Sequence, residues 1–86
     1  MTYQIKIRKQ ALKELAELPL NANQKIVKAI ESLSTYPRPS GSKKLKGEKE
    51  YLWRIRVGDY RVIYQIEEII RVVEVRKIGH RKEVYD

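Results

Sequence analysis

The stretch YLWRIRVGDYRVIYQI, residues 51–66, decides how the chain folds. Aromatic, β-branched and aliphatic residues flank Gly58-Asp59, and glycine at the first central position suits a two-residue type II′ turn, which needs positive φ there. Two antiparallel strands folded about that turn have one register. Val57 stands opposite Tyr60, and the pairs Ile55/Val62, Trp53/Tyr64 and Tyr51/Ile66 share one face. Arg56/Arg61, Arg54/Ile63 and Leu52/Gln65 share the other. The first is a core face; the second carries the arginines. Arg54 and Arg56 would lie roughly 7 Å apart along the strand, and the Cβ atoms of Arg56 and Arg61 roughly 5 Å apart across it. Like charges placed opposite each other destabilise a sheet unless something anionic joins them. The arginine face is therefore a candidate phosphate site, against the plainer reading that it is the solvated side of a one-faced antiparallel sheet.

Working outward, Tyr3, Ile5 and Ile7 alternate with Thr2, Gln4 and Lys6, which predicts a strand over residues 2–7 with one buried face. From Arg8 the period changes. Ala11, Leu12, Leu15 and Leu18 fall at helical spacing until Pro19 ends the pattern. Asn21 or Asn23 is expected to cap a second helix, whose apolar stripe is Ile26, Val27, Ile30 and Leu33. The short connection makes the two an antiparallel helical hairpin. YPRPSGS, residues 36–42, is a loop, and KKLKG, residues 43–47, leads into the organising hairpin. Beyond it, Glu67-Glu68 is expected to turn the chain. Pairing Ile66 with Ile69 would put Val73 and Val75 on the core face and Glu74 opposite Arg61. Gly79 is expected to end that strand, and the last residues to form a single helical turn that could fold back over the arginines.

The resulting expectation is an α+β domain over residues 1–86: an N-terminal strand, a helical hairpin and a three-stranded antiparallel meander, with the helices on one sheet face. Eighty-six residues make one such domain, burying somewhat over ~60% of the unfolded chain's surface. The opposite face, bearing Arg54, Arg56 and Arg61, is left open to solvent.

Composition narrows the chemistry. The chain has no cysteine, which excludes disulfides, thiol nucleophiles and Cys-based zinc sites; no metal or other cofactor is expected. No apolar run approaches the ~20 residues of a membrane span, and no signal-peptide pattern opens the chain, so a cytoplasmic protein without a membrane partner is expected. A formal charge of +8 favours polyanionic partners. The basic excess is densest from Lys43 to Arg61, where the arginine face also lies. His80, the only histidine, stands beside Arg81 as a candidate base, although a lone histidine is more often structural. Tyr85 is either an aromatic anchor or a phenol that transfers a proton. Trp53 and Tyr64 belong to the core. No Walker loop or GxGxxG fingerprint is present.

KLKG ahead of the hairpin (44–47), GDYRVIY at its turn (58–64) and IGHRKEVY at the end (78–85) together resemble the RelE-like toxins of toxin–antitoxin pairs, within the wider RelE/ParE superfamily. The resemblance covers nearly the whole chain. It implies a metal-independent endoribonuclease that enters the ribosomal A site and cuts messenger RNA there, held in check by a cognate acidic antitoxin. The ribose 2′-OH attacks the adjacent phosphorus, and positioned arginines stabilise the charge that develops. By matched position, Arg61 and Arg81 are implied to stabilise the phosphate, and Tyr85 to be the terminal catalytic tyrosine. Arg54 stands where the best-known members carry a catalytic lysine, and Leu52 where they carry another. A guanidinium holds phosphate well but keeps its proton. The general base is thus left among His80, Tyr85, Glu74 and a lysine of KLKG, while Lys44, Lys46 and Arg56 resemble RNA contacts. Two other readings stand beside this one: a ParE-like inhibitor of DNA gyrase without nuclease activity, and a basic RNA-binding module without catalysis.

Overall fold

The computed structural model describes residues 2–47 and 51–80. Arg81, Tyr85 and the helical turn expected at the end lie outside the described residues. Alternation at the start gives β1, Gln4–Ile7, and the helical spacing gives α1, Lys9–Ala16, and α2, Leu20–Ser32. Ala11, Leu15, Ile26, Ile30 and Leu33 turn from these helices into one core with Ile55, Val62, Tyr64, Val73, Val75 and Ile78 of the sheet. The helices cover one sheet face, as their apolar stripes require.

Neither Asn21 nor Asn23 caps α2. Pro19, with φ −55°, is already the N-cap residue, because its ring holds the chain near the dihedral with which a helix starts. The Asn23 amide instead donates to the Leu15 carbonyl at 2.9 Å, a second donor to an acceptor at the end of α1 that the Leu18 N–H already reaches at 3.2 Å. Asn23 thus locks the helical hairpin rather than opening its second arm.

The sheet has five strands in the order β1-β5-β4-β3-β2. Those not yet placed are β2, Lys43–Lys44, β3, Leu52–Val57, β4, Tyr60–Glu67, and β5, Val72–His80. β3 and β4 pair in the register read from the sequence, from Leu52↔Gln65 to Val57↔Tyr60. Gly58 takes φ +61°, the conformation expected at the first position of that turn. β2 is an addition, a two-residue strand pairing Lys43 with Arg54 and Lys44 with Trp53. β1 joins β5 in parallel, so the sheet is mixed.

The second hairpin departs from expectation in three ways, each with a local cause. Its turn runs over residues 68–71 and places Arg71 at φ +54°. Tertiary contacts hold this left-handed residue without a glycine: the Arg71 carbonyl accepts from Gln4 N–H at 2.8 Å, and its guanidinium lies 5.6 Å from the centroid of the Tyr3 ring. The longer turn moves the register, so Glu74 is opposite Gln65 rather than Arg61. A bulge follows, since Ile63 pairs with Lys77 but Tyr64 with Val75, leaving Arg76 as the extra residue. Finally, Gly79 does not end the strand; it stays in the ladder opposite Arg61, and His80 opposite Tyr60.

Helix and sheet are sealed by polar contacts where strands run out. β1 stops at the level of Val75, and beyond it the Ile78 N–H donates to the Glu14 carboxylate of α1 at 2.8 Å. Tyr64 is fully buried; its hydroxyl donates to the Pro37 carbonyl at 2.7 Å, and burial pushes its pKa up to about 12. Trp53 is only partly buried, with the Arg38 guanidinium 5.2 Å from its centroid. Arg38 also pairs with Glu68, which accepts from the Tyr3 hydroxyl at 2.7 Å. The arginine and then the phenol hold the Glu68 carboxyl below its ordinary range. No described helix is long and apolar enough to cross a membrane.

Candidate phosphate-binding face

The face away from the helices can be read in rows across the strands. Arg56, Arg61 and Gly79 form one row; Lys43, Arg54, Ile63 and Lys77 form the next; Leu52, Gln65 and Glu74 form the third. Three arginines are thus brought to one side, on adjacent strands, by the Gly58-Asp59 turn. The face is not simply open to solvent. Leu45, Leu52 and Ile63 make a second small apolar cluster on it, anchored by the Leu45 N–H donating to the Leu52 carbonyl at 2.9 Å.

Arg54 is the charged residue this arrangement encloses: it is 3% exposed, while Arg56 is exposed and Arg61 half-buried. The Nε atoms of both Arg54 and Arg61 are enclosed. A guanidinium fixed this way presents its fork in a defined direction, which is how arginine recognises the paired oxygens of a phosphate. Beyond the short β2, a groove of about 600 Å³ opens along β3, lined by Lys43, Arg54, Arg56, the Pro39–Gly41 segment and Ala29 and Ser32 of α2.

Of the residues matched to contacts with RNA, Arg56 is on this face. Lys44 and Lys46 are exposed on either side of buried Leu45, and the register puts Lys44 with Trp53, on the helix side. Lys43 is the lysine that stands beside Arg54. Sequence reading missed it because β2 is too short for alternation to register; the only available signal was the apolar Leu45 two positions on.

His80 is displaced from the face by the bulge. Without the extra residue at Arg76, strict alternation from Val73 and Val75 would send His80 to the arginine side. With it, Ile78 enters the core, Gly79 falls opposite Arg61, and the His80 ring lies edge-on to Tyr60, centroids 5.7 Å apart at 76°. His80 lines a cavity of about 450 Å³ beside Gln10 and Glu14 of α1 and Glu17 at its C-cap. Glu74 is also removed from Arg61. Its Oε1 accepts from Arg76 Nε at 3.2 Å and pairs with Arg8 Nε at 3.3 Å. Among the described residues, no three His, Asp or Glu side chains gather as metal ligands.

A helical hairpin on one face of a five-stranded sheet, with basic residues collected on the other, defines a small α+β protein with one helix-covered and one basic sheet face. The family described as the ParE toxin of the type II toxin–antitoxin system parDE matches residues 5–85. A Methanocaldococcus jannaschii protein bearing the toxin name RelE1 is 36% identical over 88 residues, covering 99% of this chain and 97% of that one. Among solved structures, the RelE–RelB complex of Pyrococcus horikoshii OT3 is similar with a TM-score of 0.83 at 34% identity, covering 98% of this chain and 100% of that one. The toxin–antitoxin complex RelBE2 of Mycobacterium tuberculosis is similar with a TM-score of 0.85 at 26% identity, covering 94% and 100%. The chain belongs to the RelE/ParE family of type II toxins.

Proposed function

We propose that this toxin is a metal-independent endoribonuclease that cuts messenger RNA in the ribosomal A site and so arrests translation in the cytoplasm. The observation that carries the reading is the convergence of Arg54, Arg56, Arg61 and Lys43 on one sheet face, with Arg54 buried. In the reaction the ribose 2′-OH loses its proton and bonds to the adjacent phosphorus, and the P–O5′ bond breaks as the leaving oxygen gains a proton. Arg61 and Arg54 stabilise the charge on the non-bridging oxygens, joined by Arg81 from the terminal segment. Lys43, Lys46 and Arg56 hold flanking phosphates, with Lys44 at their margin. His80 is turned to the helix side and Glu74 is held by two arginines. The base is therefore drawn from Tyr85 and the KLKG lysines, and Tyr85 is the first choice. The names of the RelE relatives support this reading, and the RelB complexes among the similar structures support an antitoxin partner. The net charge of +8 makes an acidic antitoxin the fitting kind.

The ParE name of the matching family keeps a second reading in play, inhibition of DNA gyrase. Single-turnover cleavage on ribosomes programmed with message is expected for the wild type. It should be lost by at least about a hundredfold in Arg61→Ala, Arg81→Ala and Tyr85→Phe. Inhibition of supercoiling with no cleavage would favour the gyrase reading instead, and full cleavage by all three variants would reject the site.

A further inference from the structure

We infer that Tyr51 and Arg76 form a stacking platform for a nucleobase of the RNA, beside the nucleotide whose phosphate is cut. This rests on the RNA-cleaving reading above. Tyr51, which alternation put on the core face opposite Ile66, instead precedes the first paired residue of β3 and is 53% exposed, so its ring contributes little to either apolar cluster. Arg76 lies over it, with Cζ 5.6 Å from the ring centroid and a terminal guanidinium nitrogen 3.4 Å from the phenol oxygen. The pair spans the sheet, from the start of β3 to β5.

Arg76 is the bulge residue of β5, and a bulge re-aims a side chain that regular pairing would direct elsewhere. Its direction is then fixed through Glu74, whose Oε1 accepts from Arg76 Nε at 3.2 Å and is itself paired with Arg8 at 3.3 Å. Glu74 and its partner Gln65 lie on the same face as the arginines. Gln65 is four residues along β4 from Arg61, roughly 13 Å, with Ile63 of the small apolar cluster between. That distance reaches a neighbouring nucleotide and not the reacting phosphate. A held guanidinium on a half-exposed tyrosine, at the end of a basic face, is the combination on which single-stranded RNA rests its bases. Stacking tolerates every base because each has a π face, so the platform grips RNA without reading its sequence.

The test uses ribosomes programmed with messages that carry one abasic nucleotide, placed in turn on either side of the cleaved linkage. For the wild type, an abasic nucleotide at one position should raise the half-saturating enzyme concentration by about five- to a hundredfold, with the single-turnover rate at saturation little changed. Tyr51→Ala should bind intact message as weakly as the wild type binds the abasic one, and should no longer discriminate between them. Tyr51→Phe, which keeps the ring and loses only the contact between the phenol oxygen and Arg76, should still discriminate intact from abasic message, and melting curves of both variants exclude unfolding as the cause. Wild-type cleavage indifferent to every abasic position, or discrimination retained by Tyr51→Ala, overturns the platform and leaves the nuclease reading standing. A Tyr51→Ala effect confined to affinity for the acidic antitoxin overturns it as well. No cleavage by the wild type on any message overturns the functional reading, and this inference with it.

Discussion

Arg56 on β3 and Arg61 on β4 are a direct cross-strand pair on the exposed side of the sheet. Like charges directly opposite each other destabilise a sheet. Arg56→Gln is expected to raise the melting temperature slightly and to weaken ribosome binding, with cleavage recovered at higher enzyme concentration. Thermal melts and single-turnover titrations measure the two effects separately. A variant that loses stability would contradict the repulsion.

Gly79 faces Arg61 from β5 and is buried. Glycine inside a strand weakens it and often marks a place where something else approaches closely. Gly79→Ala should leave the melting transition cooperative while lowering the saturated cleavage rate. A small displacement of a catalytic group can cost up to about a hundredfold. Unchanged turnover would mean that the space beside Arg61 is not used.

Arg54 is buried with its charge, which makes its removal informative in two directions. Replacing a whole buried ion pair by apolar side chains is often neutral, but removing one side of a buried charged interaction costs stability. Arg54→Met should therefore fold with lower stability and lose most cleavage, whereas Arg54→Lys, which keeps the charge, should retain part of both. Urea denaturation alongside cleavage distinguishes this outcome from a purely structural role, in which Arg54→Met would cleave normally.

Glu68 supplies the pH dependence. Its folded-state pKa is lowered by Arg38 and Tyr3, so its contribution is present above the ordinary carboxylate range and is lost as pH falls through the lowered value. Melting temperatures of the wild type should decline in that acid window. The decline should be shallower in Glu68→Gln, with the two curves differing most at neutral pH. A steeper acid decline in the variant would contradict the sign of the effect.

The β3–β4 register and the helical stripes were legible because they depend on local periodicity. Gly58 supplies the one turn geometry its neighbours accept, and a one-residue slip would turn Trp53 and Tyr64 out of the core. The same alternation collects Arg54, Arg56 and Arg61 on one face. The β4–β5 turn was not legible, since Arg71 is held left-handed by Gln4 and Tyr3, residues distant in the chain.

Alternation and helical spacing are properties of neighbouring residues, and the layers, the hairpin and the basic side of the sheet follow from them. Which residues complete that side depends on packing between distant parts of the chain. A single extra residue at Arg76, accommodated beside Glu74 and Tyr51, reverses the alternation after Val75. It sends His80 to the helices and sets Gly79 against Arg61. The bulge is held from the helix side of β5, by Val75 and Ile78 in the core and by Glu14 at the edge. No window of sequence along β5 contains that information.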